Sequence, residues 1–185
     1  KKAFPDEQIS KDTATKAIAA YERTLITPNS AYDKYAKGNK SALNAQEVRG
    51  LKLMAGIGCL SCHSGAAFNG NGGFREFPAI YNAYLEKQYQ FSNDKGLFEV
   101  TNKQEDEHFF KIPTLRNIAL TAPYFHNGSV KTLEKAVKVM ATVQLGRKLS
   151  TNEVSDIVAF LNTLTGEFPE QQLPQLPATP GKTFN

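Results

Sequence analysis

Residues 58–63 read GCLSCH. Two cysteines separated by two residues, with a histidine directly after the second, form the attachment signature of a c-type haem. No other feature constrains the fold as strongly, because a segment carrying it must wrap the edge of a flat macrocycle with His63 on one axial position of the iron. The second axial position must be filled from elsewhere in the chain or left open for chemistry. Cys59 and Cys62 are the only cysteines, so no disulfide remains once both hold a cofactor. A thioredoxin-like pair would need a βαβ pattern around it, and a tetrahedral zinc site would need two more Cys or His ligands at short spacing. His108 and His126 are too isolated in sequence to supply them.

The chain of 185 residues is long enough for one domain with a proper core and short for two. No run approaches the roughly 18 apolar residues that a membrane span needs. Lys1 and Lys2 lead straight into Phe4, Pro5 and a polar stretch, which reads as the start of a mature or truncated chain rather than a secretion leader. The net charge of +4 comes from dispersed lysines with no aromatic-interleaved basic stripe, so nucleic-acid binding is not expected. A basic face instead suits an acidic protein partner.

Periodicity predicts a mainly helical chain. A helix follows Ser10, with Ala14, Ala17, Ile18, Tyr21 and Leu25 on one face, and ends at Thr27 and Pro28. A short helix runs through Tyr32 and Tyr35 to Gly38. Asn44 and Glu47 form a capping box for the next, whose apolar positions Val48, Leu51 and Ala55 lead directly into the cysteine motif. Residues 64–111 read as the least regular part, with the glycine-rich SGAAFNGNGGF either packing backbone against a flat cofactor or simply turning. It lacks the lysine and spacing of a phosphate loop. Pro113 is expected to open a short helix over TLRNIAL. Leu133, Ala136, Val137 and Met140 then share one helical face, and Ser150 with Glu153 caps a last helix bearing Val154, Ile157, Val158, Leu161 and Leu164. The remainder is proline-rich and reads as an extended tail.

Met54 and Met140 are the only methionines. A Met/His pair raises the haem potential and closes the iron to small ligands, which favours electron transfer over peroxide activation. Met54 lies five residues before Cys59 on the helix that feeds the motif, so it cannot fold back to the opposite haem face and is expected to pack in the core. Met140, on an independent element, is free to cover that face; the competing reading makes it the last residue of a buried stripe. His126 is either a second nitrogen ligand or a hydrogen-bonded turn residue. His108 is expected to be exposed beside Glu105, Asp106 and Glu107.

The segments FKIPTLRNIALTAPYFHNGSVKTLEKAV and VMATVQLGRKLSTNEVSDIVAFLNTLTG, with AIAAYERTLITPNSAYDKYAKG and LKLMAGIGCLSCHSG, resemble the C-terminal haem domain of bacterial di-haem cytochrome c peroxidases. The resemblance covers the chain from about Ala17 to the tail. It implies an all-α, cytochrome c-like haem domain over residues 1–166 with long irregular loops, and a proline-rich extended tail over 167–185. It matches Cys59 and Cys62 to the thioether attachments of one covalent haem c, His63 to the proximal ligand and Met140 to the distal one. It also matches Thr121 and Pro123 to backbone-carbonyl ligands of a calcium ion, and His126 and Arg116 to positions near the domain boundary and the haem. Arg116 there pairs with a propionate or, on the plainer reading, makes an ordinary surface salt bridge.

Members of that family carry two CxxCH motifs, whereas this chain carries one and no tryptophan. The resemblance therefore implies an electron-transfer domain, with the haem that reduces hydrogen peroxide missing. Its expected partners are a small cytochrome c or copper-protein donor, a peroxidatic haem domain and a second copy in a homodimer, all in the periplasm. The alternatives are a free-standing mono-haem electron carrier and, less expected, a domain that releases Met140 and gains weak peroxidase activity.

Overall fold

The computed structural model describes residues 4–171, and the helices after Asn44 and Ser150 open at the capping boxes read from the sequence, while two further boxes open the helices after Ser10 and Ser30. α1 (Lys11–Glu22), α2 (Ala31–Ala36), α3 (Ala45–Gly56) and α8 (Thr151–Asn162) each begin with a reciprocal capping box, built by Ser10 with Thr13, Ser30 with Asp33, Asn44 with Glu47 and Ser150 with Glu153. Between α3 and α8 the order is α4 (Cys59–Cys62), β1 (Phe74–Glu76), α5 (Ala83–Tyr89), α6 (Phe98–Thr101), β2 (Phe109–Lys111) and α7 (Leu133–Leu145). β1 and β2 pair antiparallel, with Arg75 opposite Phe110. The all-α expectation is therefore corrected to a helix-rich fold with a small two-stranded sheet. Three-residue strands are too short to display the alternation that marks a strand in sequence.

Residues 27–167 form one unit, and the described parts of Lys1–Ile26 and Phe168–Asn185 form another. α1, expected to lie in the haem domain, falls in the second. It stops at Glu22, short of Thr27, and its apolar stripe is exposed: Ile18 is 59% and Tyr21 54% accessible, while Thr13 is buried. The expected tail lies mostly outside the described residues, at 172–185.

The core of residues 27–167 is built on the crossing of α3 and α8. The buried positions of α3 are Gly50 and Met54, with Ala55, expected on the buried face, exposed. Gly50 explains the shift: a Cβ there would stand 2.0 Å from the carbonyl oxygen of Asp156 and 2.8 Å from Cβ of Phe160. Only a residue without a side chain lets the two helices approach so closely. Phe160, Leu164, Ile157 and Leu161 of the α8 segment are fully buried over this contact, and Phe160 meets Tyr32 and Phe68 edge-on. Arg49 forks onto both carboxylate oxygens of Asp156 at 3.0 Å along the flank.

The helix expected over TLRNIAL is reduced to a single 3-10 turn, Ile118–Leu120. Asn117 adopts a left-handed conformation (φ 59°), donating to Thr27 Oγ1 at 2.8 Å and accepting from the Gly166 N–H at 3.0 Å. These long-range bonds outweigh a weak local helix preference. Within 64–111, α5 and α6 also give helical order to a stretch read as irregular.

Candidate haem site

α3 ends at Gly56, and Gly58 (φ 99°) redirects the chain into the single turn of α4. Cys59 and Cys62, three residues apart on that turn, share a face. The His63 N–H closes the turn onto the Cys59 carbonyl at 3.0 Å. Its ring nitrogen Nδ1 lies 3.2 Å from the carbonyl oxygen of Phe68. A carbonyl only accepts, so Nδ1 carries the proton and Nε2 keeps the lone pair a metal ligand needs. The glycine-rich loop thus delivers the group that orients the imidazole. Burial pushes the His63 pKa down, against the opposing hydrogen bonds to the backbone of Phe68 and Pro113, which keeps the ring neutral. Burial likewise raises the Cys59 thiol, with the neighbouring Cys62 adding to the effect.

Both cysteines and His63 open onto a cavity of about 590 Å³ whose other walls are largely apolar, from α3, α7, α8 and the segment 110–126. Met140 reaches it from α7 together with Leu133, Ala136 and Val137, the stripe read from the sequence. α7 continues past Met140 to Leu145, so Met140 lies inside the helix rather than at its end. Met54 also lines the cavity and is 3% exposed, so both methionines stand in its walls. Arg75 and Lys111 are the charged residues of the lining, with no carboxylate among its members. A planar apolar macrocycle bearing carboxylate arms fits this donor set: two thiols, an imidazole and two thioethers in a largely apolar lining that also holds two cationic side chains. Among the described residues no group of three His, Cys, Asp or Glu could hold a bare metal ion.

The remaining sequence candidates separate. Thr121, Pro123 and His126 line the cavity, whereas Arg116 does not. Arg116 instead pairs with Asp33 at 2.8 Å, donates to Ser30 Oγ at 3.1 Å and to the Ala66 carbonyl, and lies about 5.5 Å over the Phe68 ring. Its donors are spent inside the fold. The His126 ring stacks on Phe110 at 4.2 Å, and Nε2 donates to the Phe91 carbonyl at 2.9 Å. His108 is half-buried and bonds the Asp94 carbonyl through Nδ1, rather than standing free beside the carboxylates. Sequence reasoning missed Arg75, Lys111 and Gln144 in the lining. The first two lie on strands too short to recognise, and Gln144 continues the Met140 face by one turn, which was the signal available.

A family model for di-haem cytochrome c peroxidase matches residues 1–41, and one for RoxA-like, cytochrome c-like proteins matches residues 110–142. The chain is 44% identical over 184 residues to the cytochrome c551 peroxidase of Nitrosomonas europaea, covering 99% of this chain and 53% of that protein. It is 45% identical over 181 residues to the cytochrome c551 peroxidase of Pseudomonas aeruginosa, covering 97% and 51%. The chain spans about half the length of these curated relatives. Among solved structures, a MauG-like protein associated with microbial copper homeostasis superposes with a TM-score of 0.67 at 29% identity, over 86% of this chain and 58% of that one. The chain is thus homologous to cytochrome c peroxidases and MauG-like proteins, a kinship that implies a haem c cofactor.

Proposed function

We propose that this chain is the electron-transfer haem domain of a di-haem cytochrome c peroxidase, accepting electrons singly from a small redox protein and passing them to a peroxidatic haem. One observation carries the reading: His63 and Met140, far apart in sequence, stand in the walls of a single apolar cavity beside both cysteines. A haem c bound there supplies reversible one-electron chemistry. Cys59 and Cys62 anchor it through thioethers. His63, its Nδ1 proton committed to the Phe68 carbonyl, would offer Nε2 to the iron. Met140 would offer a neutral sulfur as the second ligand, from a largely apolar wall that disfavours water and peroxide there. Met54, on the helix leading into the motif, would pack against the cofactor without binding metal.

The test is the weak absorption near the red edge of the visible spectrum that marks methionine bound to ferric haem. Met140→Ala abolishes it and Met54→Ala keeps it; loss of the band in Met54→Ala instead would overturn the assignment. Peroxide turnover by this chain alone stays near background.

The same reading places the protein in the periplasm, where c-type haem is attached, with Thr121 and Pro123 offering backbone carbonyls to calcium at a domain boundary. With its net charge of +4 the domain suits an acidic donor, so electron uptake slows as salt rises. A free-standing mono-haem carrier is the second reading, favoured by the single CxxCH motif. A second CxxCH encoded upstream of Lys1 decides for the first.

A further inference from the structure

Gln144 lies one helical turn beyond Met140 on α7, and the two residues line the same cavity. A polar amide in an apolar wall needs partners, and Gln144 has found both from one segment. Its Oε1 accepts the Ala79 N–H at 3.1 Å, and its Nε2 donates to the Glu76 carbonyl at 2.8 Å. An amide oxygen only accepts and an amide nitrogen only donates, so this pair of bonds fixes which way the side chain points. The Ile80 N–H adds a third tie to α7, onto the Val143 carbonyl at 2.8 Å, one of the acceptors a helix end leaves unfilled. The segment so held is part of the cavity wall: Phe77, 6% exposed, faces the cavity and stacks on Phe125 at 5.0 Å.

We propose that Gln144 is a positioning residue for Met140, tying the Glu76–Ile80 segment to the end of α7 and so closing the methionine side of the cavity against water and small ligands. The proposal rests on Met140 as the iron ligand. It differs from ordinary structural support in one respect. Glu76 and Ala79 are exposed, so their backbone groups hydrate readily when the amide is removed, and the fold loses little. What is lost is the seal.

The experiment uses the haem-loaded ferric protein and imidazole as the competing ligand, followed by the red-edge methionine band, with thermal unfolding and amide exchange at Ala79 and Ile80 measured alongside. Gln144→Ala binds imidazole on the order of tenfold more tightly than the wild type, the scale of losing one or two hydrogen bonds that hold the closed state. Exchange at Ala79 accelerates in the same variant. Gln144→Glu, which keeps the acceptor and loses the donor, falls between. Gln144→Leu retains apolar volume at the helix surface and reads the same effect should the alanine variant fold poorly. Arg49→Ala, which removes a bond between α3 and α8 away from the segment, lowers the unfolding midpoint and leaves imidazole affinity unchanged.

Unchanged imidazole affinity in both Gln144→Ala and Gln144→Leu overturns the proposal, as does an equal rise in Arg49→Ala. A wild-type protein with no methionine band overturns the ligand assignment itself, and the positioning role with it, before any variant is compared.

Discussion

α8 and α1 carry apolar stripes of the same helical period, open with the same kind of capping box, and are both 12 residues long. Their fates are opposite. On α8 most of the stripe is buried: Val154, Ile157 and Leu161 are each at 4% exposure or less, as is Phe160 beside them, and only Val158 is partly exposed. On α1, Ile18 and Tyr21 remain more than half exposed. Periodicity marks a face that gains from burial, but burial requires a neighbour of matching shape. For α8 that neighbour is α3, and the match depends on Gly50, where backbone replaces side chain.

The sharpest way to break this contrast is to put a side chain at Gly50. A valine there drives branched carbons into the Asp156 carbonyl and the Phe160 side chain, backbone and core atoms that cannot swing aside. Separating α3 from α8 exposes the core above them, at a cost of about 4 kcal/mol. The expected outcome is a large fall in the denaturation midpoint of Gly50→Val, and loss of ordered haem binding, since α3 leads directly into Cys59. A midpoint near wild type would mean the helices can slide apart freely and that the crossing does not organise the core.

α2 sharpens the comparison from the other side, because it has six residues, buries none fully and still holds its place. Polar contacts hold it instead. Ser30, 1% exposed, accepts from the Asp33 N–H and from Arg116, and Asp33 takes the Arg116 guanidinium at 2.8 Å. Burial alone would raise the Asp33 pKa, but hydrogen bonds from Arg116 and Ser30 outweigh it and hold the carboxyl below its usual range. A depressed carboxylate contributes stability that is complete above its unfolded value, about 3.9, and is lost as pH falls through the lower native value. Asp33→Ala should therefore cost about 2 kcal/mol near neutral pH, from the lost cap and ion pair together. The gap between variant and wild type should close below pH 4 in denaturant titrations. A gap that persists at low pH would assign the effect to packing.

These cases show which parts of the molecule the sequence displays. The caps at Ser10, Asn44 and Ser150 are local chemistry, a side chain bonding backbone three residues on, and each is legible from four letters. The cysteine motif is legible for the same reason, and the α7 stripe that carries Met140 into the cavity follows from a single period. Arg116 could not be placed from sequence, since its partners at Ser30, Asp33 and Ala66 lie 50 or more residues away. Asn117 breaks an apparent helix through contacts to Thr27 and Gly166 that no local window contains. β1 and β2 are visible only as a pair, joined across more than 30 residues. The cysteine–histidine part of the site was thus readable in one hexapeptide, whereas Gln144 in the cavity lining bonds a segment some 65 residues earlier that no local window contains.

The smallest effect tests the α1 half of the contrast. If exposure has left its stripe without energetic consequence, Ile18→Ser changes the stability of this chain by no more than about 0.5 kcal/mol, because a side chain already 59% accessible has little burial to lose. Helix propensity hardly enters, since isoleucine and serine rank together in a helix interior. The measurement is a pair of denaturant titrations, with Ile157→Ser on α8 as the counterpart: a 2% exposed isoleucine replaced by a hydroxyl loses both packing and solvation. Should Ile18→Ser prove nearly as costly as Ile157→Ser, the stripe on α1 is engaged in solution, and the two helices obey one rule after all.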